Sequence, residues 1–400
     1  MWWTTHIEGG PRRVNHAAVA VGDKIFSFGG YCTGDNYRDW RPIDIFVLNT
    51  LNFRWSEVPK PAPGEQLLQR IPFQRYGHTV IAFGDYIYLF GGRNDESACN
   101  VLYQFDTNTY QWSAPTVHGD IPAERDGHSA CVIGNYMYVF GGYEEMIERY
   151  GQDVYRLDLK TFAWKLLMCQ GDPPVQRDFH SATAIGGNMF IFGGRSDLTG
   201  IGMGPDFYSN KVCYLDTQTL TWHNPALEQG CHPPCGRRSH SALNLDGRLL
   251  IFGGYNGRTK EHMNDLWILD QDSWRWDQII PFGAPAPNPR RRQALCRVGS
   301  KIYLFGGTSP YNGPPLFFTP EQLSMLPQQD EDNSTKLMDH NDLYVLDLSP
   351  SLKTLAMLEV KNKNLSTKGL PASILREMFY MSASNKISKP LKTVESLSSG

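Results

Sequence analysis

Arginine and histidine recur in this chain at one fixed offset. Arg13, Arg75, Arg125, Arg177 and Arg237 are each followed three residues on by a histidine, at His16, His78, His128, His180 and His240. A further copy reads Arg291 with Ala294 in the histidine place. A guanidinium carries its donors in a rigid planar fork and keeps its charge at any cellular pH. Such a group can satisfy carbonyls and a carboxylate inside its own structural unit, or it can grip an incoming carboxylate or phosphate bidentately. One arginine per copy is enough for the first role. Arg237-Arg238 and Arg290-Arg291-Arg292 exceed it, so an anion pocket is expected there, a carboxylate and a phosphate fitting equally well.

The same residues argue against other chemistries. Histidines at equal positions of a repeat stand apart instead of converging on a metal, and Cys231-His232-Pro233-Pro234-Cys235 lacks a second ligand pair at useful spacing. Gly200-Ile201-Gly202-Met203-Gly204 has no strand-turn-helix context for a nucleotide. No metal, cofactor or catalytic residue is therefore expected. With 38 basic and 41 acidic residues the net charge is −3, which disfavours a dominant nucleic-acid binder. No apolar run is long enough to span a membrane, and the opening Met1-Trp2-Trp3-Thr4-Thr5-His6 does not read as a signal peptide. Eight scattered cysteines without a recurring disulfide spacing point to a reducing compartment, cytoplasm and nucleus undistinguished.

What positions the arginines is a repeat. Each leads a short apolar strand, a tight turn and a second strand ending in a glycine pair, at Gly29-Gly30, Gly91-Gly92, Gly141-Gly142, Gly193-Gly194, Gly253-Gly254 and Gly306-Gly307. A third strand ends near Asn49, Asp106, Asp158, Asp216, Asp270 and Asp347, and a fourth surrounds Trp55, Trp112, Trp164, Trp222 and Trp276. The sixth copy has no tryptophan behind it, whereas Trp2 and Trp3 stand ahead of the first copy. The expected fold is all-β, a closed six-bladed propeller over residues 1–348 whose last outer strand comes from the amino terminus. Its long connections, including an insertion over residues 308–341, fall on one face, where function is expected. Residues 349–381 read as two helices, capped by Ser349 or Ser351 and starting near Pro371, with apolar stripes either packed on the propeller or offered to a partner. Residues 382–400 read as a mobile tail.

The repeat, the motif Ser349-Pro350-Ser351-Leu352-Lys353-Thr354-Leu355 and the glycine-rich blade ends resemble the kelch-repeat substrate receptors of cullin-2 ubiquitin ligases. That resemblance implies a non-catalytic receptor that binds proteins or peptides ending in glycine and presents them for ubiquitin transfer. It implies a carboxylate-gripping pocket at Arg237 and Arg238, with Arg291, Arg292 and Asn264 beside them. Contacts to elongin B/C fall on Ser351, Leu352, Ala356 and Val360, where Ala356 departs from the usual cysteine. Contacts to cullin-2, which brings its RING subunit, fall on Leu370, Pro371 and Ile374. The terminal Gly400 is a possible self-degron, through which copies would associate. A kelch interaction module of nuclear or cytoskeletal assemblies is the alternative.

Overall fold

The computed structural model describes residues 1–60, 70–197, 199, 204–283, 285–311 and 336–388. Six antiparallel sheets follow one another around a channel. In each of the first five, four successive strands run from the channel outward, for instance Ser129–Ile133, Tyr136–Phe140, Val154–Asp158 and Ala163–Leu166 in blade III. Blade VI is built from both ends of the chain. Its inner three strands are Ala294–Val298, Lys301–Phe305 and Leu343–Asp347, and Trp2–Ile7 lies antiparallel on the last of them. The amino-terminal strand therefore closes the ring, as the missing tryptophan predicts.

The tryptophans explain why the blades stack. Each packs on the phenylalanine that precedes the glycine pair of the blade before it, with ring centroids 5.0 Å apart for Trp55 and Phe305, 5.7 Å for Trp112 and Phe28, and 5.0 Å for Trp164 and Phe90. Trp222 and Phe140, then Trp276 and Phe192, continue the series, and Trp3 on Phe252 at 6.4 Å completes it. Offset and edge-on aromatic pairs of this kind stabilise by about 1 kcal/mol each beyond area burial.

Two backbone circuits hold the inner ends of the blades. The second glycine of each pair donates its N–H to the carbonyl of the next blade's arginine: Gly30 to Arg75, Gly92 to Arg125, Gly142 to Arg177, Gly194 to Arg237, Gly254 to Arg290 and Gly307 to Arg13, all at 2.8–2.9 Å. A Cβ on the first glycine would lie 2.5–2.9 Å from the same carbonyls, so the pair is confined to glycine by contact as well as by its positive φ. Nearer the channel, Asn15, Gly77, Gly127, Phe179, Ser239 and Arg292 all adopt positive φ. Each donates its N–H to the carbonyl of its counterpart in the preceding blade, Gly77 to Asn15, Phe179 to Gly127, Arg292 to Ser239 and finally Asn15 to Arg292. This belt of six hydrogen bonds is closed head to tail.

The histidines bolt blade to blade. The Nε2 atoms of His128, His180 and His240 lie 2.8, 2.6 and 2.8 Å from the hydroxyls of Thr79, Ser129 and Ser181 in the preceding blades. Gln293 takes the histidine place in blade VI and donates to the Phe252 carbonyl. The sixth repeat is thus Arg290 with Gln293, one residue earlier than the Arg291 and Ala294 expected from the sequence.

Beyond Asp347 the chain forms α1, Leu352–Asn362, with Ser351 accepting from Thr354 N at its amino end, and α2, Ala372–Tyr380, opened by Pro371. Met357, Ile374, Met378 and Met381 pack onto the core shared by blades VI and I, beside Ile7, Trp55 and Phe305. Residues 382–388 are not a loose tail. Asn385 N donates to Glu8 O, and Ser388 pairs in parallel with Ser56 on the outer edge of blade I. Elsewhere such an edge is covered by the connection entering the blade, as His118–Gly119 covers Ala163–Leu166 and Phe282 covers Trp2. The carboxy-terminal segment supplies that cover for blade I.

Burial first, then the neighbouring arginine, pushes His16, His128 and His240 down to about 3, and His78 and His180 are lowered for the same reasons. Between pH 6.5 and about 3 the unfolded chain takes up protons that these folded imidazoles refuse. Stability is present above the unfolded value and falls as pH falls, by about 1.4 kcal/mol per pH unit for each histidine. Asp126, raised to about 7 by burial and Asp178, and Asp178, itself raised by burial, act in the opposite sense but are two groups against five histidines. Urea midpoints from pH 7 to 4 should drop steeply, and His128→Gln should flatten that slope by about one histidine's share. An unchanged slope would show that His128 titrates normally.

Candidate functional site

The conformational demand of the belt decides what faces the channel mouth. Because the backbone turns through positive φ after the repeat arginine, the arginine side chain is thrown into the blade and the next two residues are turned toward the axis. Arg75, Arg125, Arg177, Arg237 and Arg290 each donate Nη1 to the carbonyl of the first glycine of their own blade's pair, at 2.7–3.1 Å. Arg237 also grips both carboxylate oxygens of Asp265, at 2.5 and 2.8 Å, and donates to Cys235 O. Its side chain is fully buried. Arg13, Arg125 and Arg290 are neutralised likewise by Asp44, Glu144 and Asp342.

Arg237 is therefore a structural residue and leaves the candidate site. Asn264 leaves as well: it is exposed and donates to Pro287 O, as Asn100 does to Pro122 O and Gln152 to Pro174 O in other blades. Arg238, Arg291 and Arg292 remain, and the fold brings them together. Arg238 and Arg291 occupy the position after the repeat arginine in adjacent blades V and VI, each paired by backbone hydrogen bonds with the residue after the glycine pair, Tyr255 and Thr308. Tyr255 lies between them, its ring 5.6 Å from Arg238 Cζ and 4.3 Å from Arg291 Cζ. Arg292 sits on the belt and donates to the Tyr31 hydroxyl.

Among the described residues none of these three guanidiniums has a carboxylate within ion-pair distance, and the Nε of each is buried without a hydrogen-bond partner. Burial, then Arg292 and Arg238, brings Arg291 down to about 10, and burial followed by Arg292 lowers Arg238. Their field, added to burial, pushes the adjoining His262 down to about 4, so it is neutral at physiological pH with both ring nitrogens unpartnered. Uncompensated cations held together in a half-dry hollow destabilise the free protein and favour any anion that enters. On the blade IV side of Arg238 the carboxylate of Asp178 is already committed, held by Arg195 at 2.5 and 3.2 Å. The cup opens over a channel of about 150 Å³ lined by the belt residues and the histidines.

Tyr31, Tyr255, His262 and Phe179 also surround the three arginines, although no motif in the sequence singles them out. The register could have supplied Tyr31 and Tyr255, since both directly follow a glycine pair, and the residue after the pair and the residue after the repeat arginine together form the mouth wall. In the helices, Leu352 is 83 % exposed and Ala356 is exposed, whereas Val360 lines a groove of about 330 Å³ between α1 and α2. Leu370 is half-buried, Pro371 begins α2, and Ile374 is packed against the propeller. Gly400 lies outside the described residues.

The chain belongs to the kelch-repeat family of β-propellers: the model of the KLHDC2/KLHL20/DRC7 Kelch-repeats domain matches residues 77–307, and that of the Kelch motif matches residues 12–62. Within that class it is similar to Kelch domain-containing protein 3, at 46% identity to the Rattus norvegicus protein over 97% of this chain and 98% of the relative, and 45% to the Homo sapiens protein with the same coverage. Human Host cell factor 1 is 32% identical over 60% of this chain and 12% of its own length. Among solved structures, YjhT shares the fold at 16% identity, with a TM-score of 0.55 over 75% of this chain and 92% of its own. All eight cysteines are free thiols, and among the described residues no helix is long and apolar enough to cross a membrane.

The two neighbouring arginines of blade V separate structure from site. Arg237→Ala strands Asp265 and should destabilise the fold by about 3 to 5 kcal/mol, whereas Arg238→Gln should leave urea stability equal or higher because it relieves repulsion. Equal losses in the two variants would place Arg238 in the scaffold.

Proposed function

We propose that this kelch interaction module is the substrate-recognition subunit of a cullin-2 ubiquitin ligase, and that its cup binds the carboxy-terminal carboxylate of proteins ending in glycine. The observation that carries this reading is the group of three guanidiniums, Arg291 buried and Arg238 and Arg292 half-buried, without a counter-ion among the described residues. A carboxylate placed among them accepts paired, charge-assisted hydrogen bonds from donors that are otherwise unsatisfied. Tyr31, Tyr255 and Phe179 set their rings beside the arginines, a wall that would suit a terminal residue without a Cβ and reject larger ones by clash. Phosphate offers a similar charge, but the planar two-oxygen carboxylate at a peptide end fits a cup set into an otherwise aromatic wall.

Leu352, among the most exposed apolar side chains, stands at the start of a helix whose other face is fixed to the propeller, an arrangement that favours an external partner. Elongin B/C would take Leu352 and the Ala356 to Val360 face, and cullin-2 the Leu370-Pro371 corner, in the cytoplasm or nucleus. The receptor would supply proximity, since transfer is catalysed by the partners. Without those partners the alternative is an interaction module that uses the cup alone.

Peptides ending in glycine should bind with a free terminus and lose at least about 2 kcal/mol when amidated, and Arg291→Gln should lose as much. Calorimetry showing equal affinity for acid and amide would end the carboxylate reading. Leu352→Asp should abolish co-purification with elongin B/C and leave peptide affinity unchanged. Retention of elongin by that variant would favour the partner-free alternative.

A further inference from the structure

The belt that closes the propeller has six equivalent positions, and they are not occupied alike. Blades I, II, III and V use Asn15, Gly77, Gly127 and Ser239, residues that are small or tolerate the left-handed region. Blades IV and VI place Phe179 at φ 48° and Arg292 at φ 62°. A bulky side chain with positive φ is costly, and such strain persists where the surroundings over-determine it. The closed hydrogen-bond circuit does so here, because each belt residue must offer its N–H to one neighbour and its carbonyl to the next.

The two strained residues meet. Arg292 Cζ lies 5.9 Å from the Phe179 ring and 5.7 Å from that of Tyr31. The guanidinium is thus flanked by a ring from blade IV and a ring from blade I, while Tyr31 also accepts a hydrogen bond from Nη1. Arg195, already neutralised by Asp178, lies 6.0 Å from the same Phe179 ring. A Cβ on Gly127 would stand 3.2 Å from the Asp178 Cβ and 3.4 Å from the Phe179 ring. Phe179 and Arg292 both line the channel, with Ser239 of the intervening blade V between them in the belt.

We propose that Phe179 is a positioning residue for the anion site: with Arg292 it forms a strained bar across the channel that serves as the floor of the cup. The bar holds the Arg292 guanidinium upward against its repulsion from Arg238 and Arg291, and it fixes how deep an entering carboxylate can go. The proposal rests on the carboxylate reading and deepens it. It also makes a statement that reading does not, namely that fold stability has been given up at Phe179 in favour of ligand geometry. A cation over an aromatic face in a partly desolvated place contributes enough to matter at binding, and Phe179 supplies that face to Arg292.

The test uses the full chain and the internal standards the repeat provides. Phe179→Gly and Phe179→Asn install residues that blades II, III and I use at the same position, and Phe179→Tyr keeps the ring. The probe is a fluorescent peptide ending in glycine, compared with its amide. The glycine and asparagine variants should unfold at a higher temperature than the parent, while their preference for the free acid over the amide falls roughly 2- to 30-fold. Phe179→Tyr should retain that preference. Raised stability with an unaltered acid preference would overturn the role at the site and leave Phe179 as strained filler. Lowered stability in both small variants would overturn the claim of strain. A parent protein indifferent to amidation would remove the carboxylate reading itself, and this proposal with it.

Discussion

The architecture depends on the closure of the backbone belt at the channel. Six N–H groups bond to six carbonyls in one direction around the axis, and that is possible only if each contributing residue turns through positive φ. From this one requirement come the outward throw of the repeat arginines, the approach of each glycine pair to the next arginine carbonyl, and the turning of two residues per blade toward the mouth. Hydrophobic burial between the blades supplies most of the driving force, but it is indifferent to which side chains face the axis. The belt is not indifferent.

The belt also separates two kinds of arginine that look alike in the chain. Those at the repeat position are consumed by the fold: in blades II to VI a donor ends on a glycine carbonyl, and in four blades on a carboxylate, buried at Asp44, Glu144 and Asp342 and half-buried at Asp265. Those one or two positions later are free of such ties, and because blades V and VI are adjacent they crowd into one place. The cup is thus a by-product of duplication, a position that is ordinary in every blade and becomes a site where two neighbours carry the same sign of charge. The acidic residues at the corresponding positions of blades III and IV show how differently one scaffold position can be used.

Blade number, the amino-terminal closing strand and both carboxy-terminal helices were legible in the sequence, because glycine pairs, tryptophans and period-two strands each answer a local physical demand. The site was legible only in part. The surplus over one arginine per blade marked the neighbourhood of the candidate cup, yet Arg237 and Arg238 differ by one residue and by a full reversal of direction. That reversal arises from the left-handed backbone at Ser239, which no propensity rule signals. In blade VI three consecutive arginines with glutamine in the histidine place left the frame ambiguous, and the Gly254 N–H to Arg290 carbonyl bond resolves it. The cover of blade I by residues 385–388 was beyond reach, since it depends on a sheet edge left open some 330 residues earlier in the chain.

The joining of Trp2–Ile7 to Leu343–Asp347 has a consequence for how the protein is made. Thr4 meets Val345 across 341 positions of sequence, so at ordinary elongation rates the first strand emerges from the ribosome roughly 20 to 70 s before its partner. Throughout that interval a tryptophan-bearing segment must wait unpaired beside a growing open arc. The stability of the finished ring becomes available to the chain only once that last pairing is made.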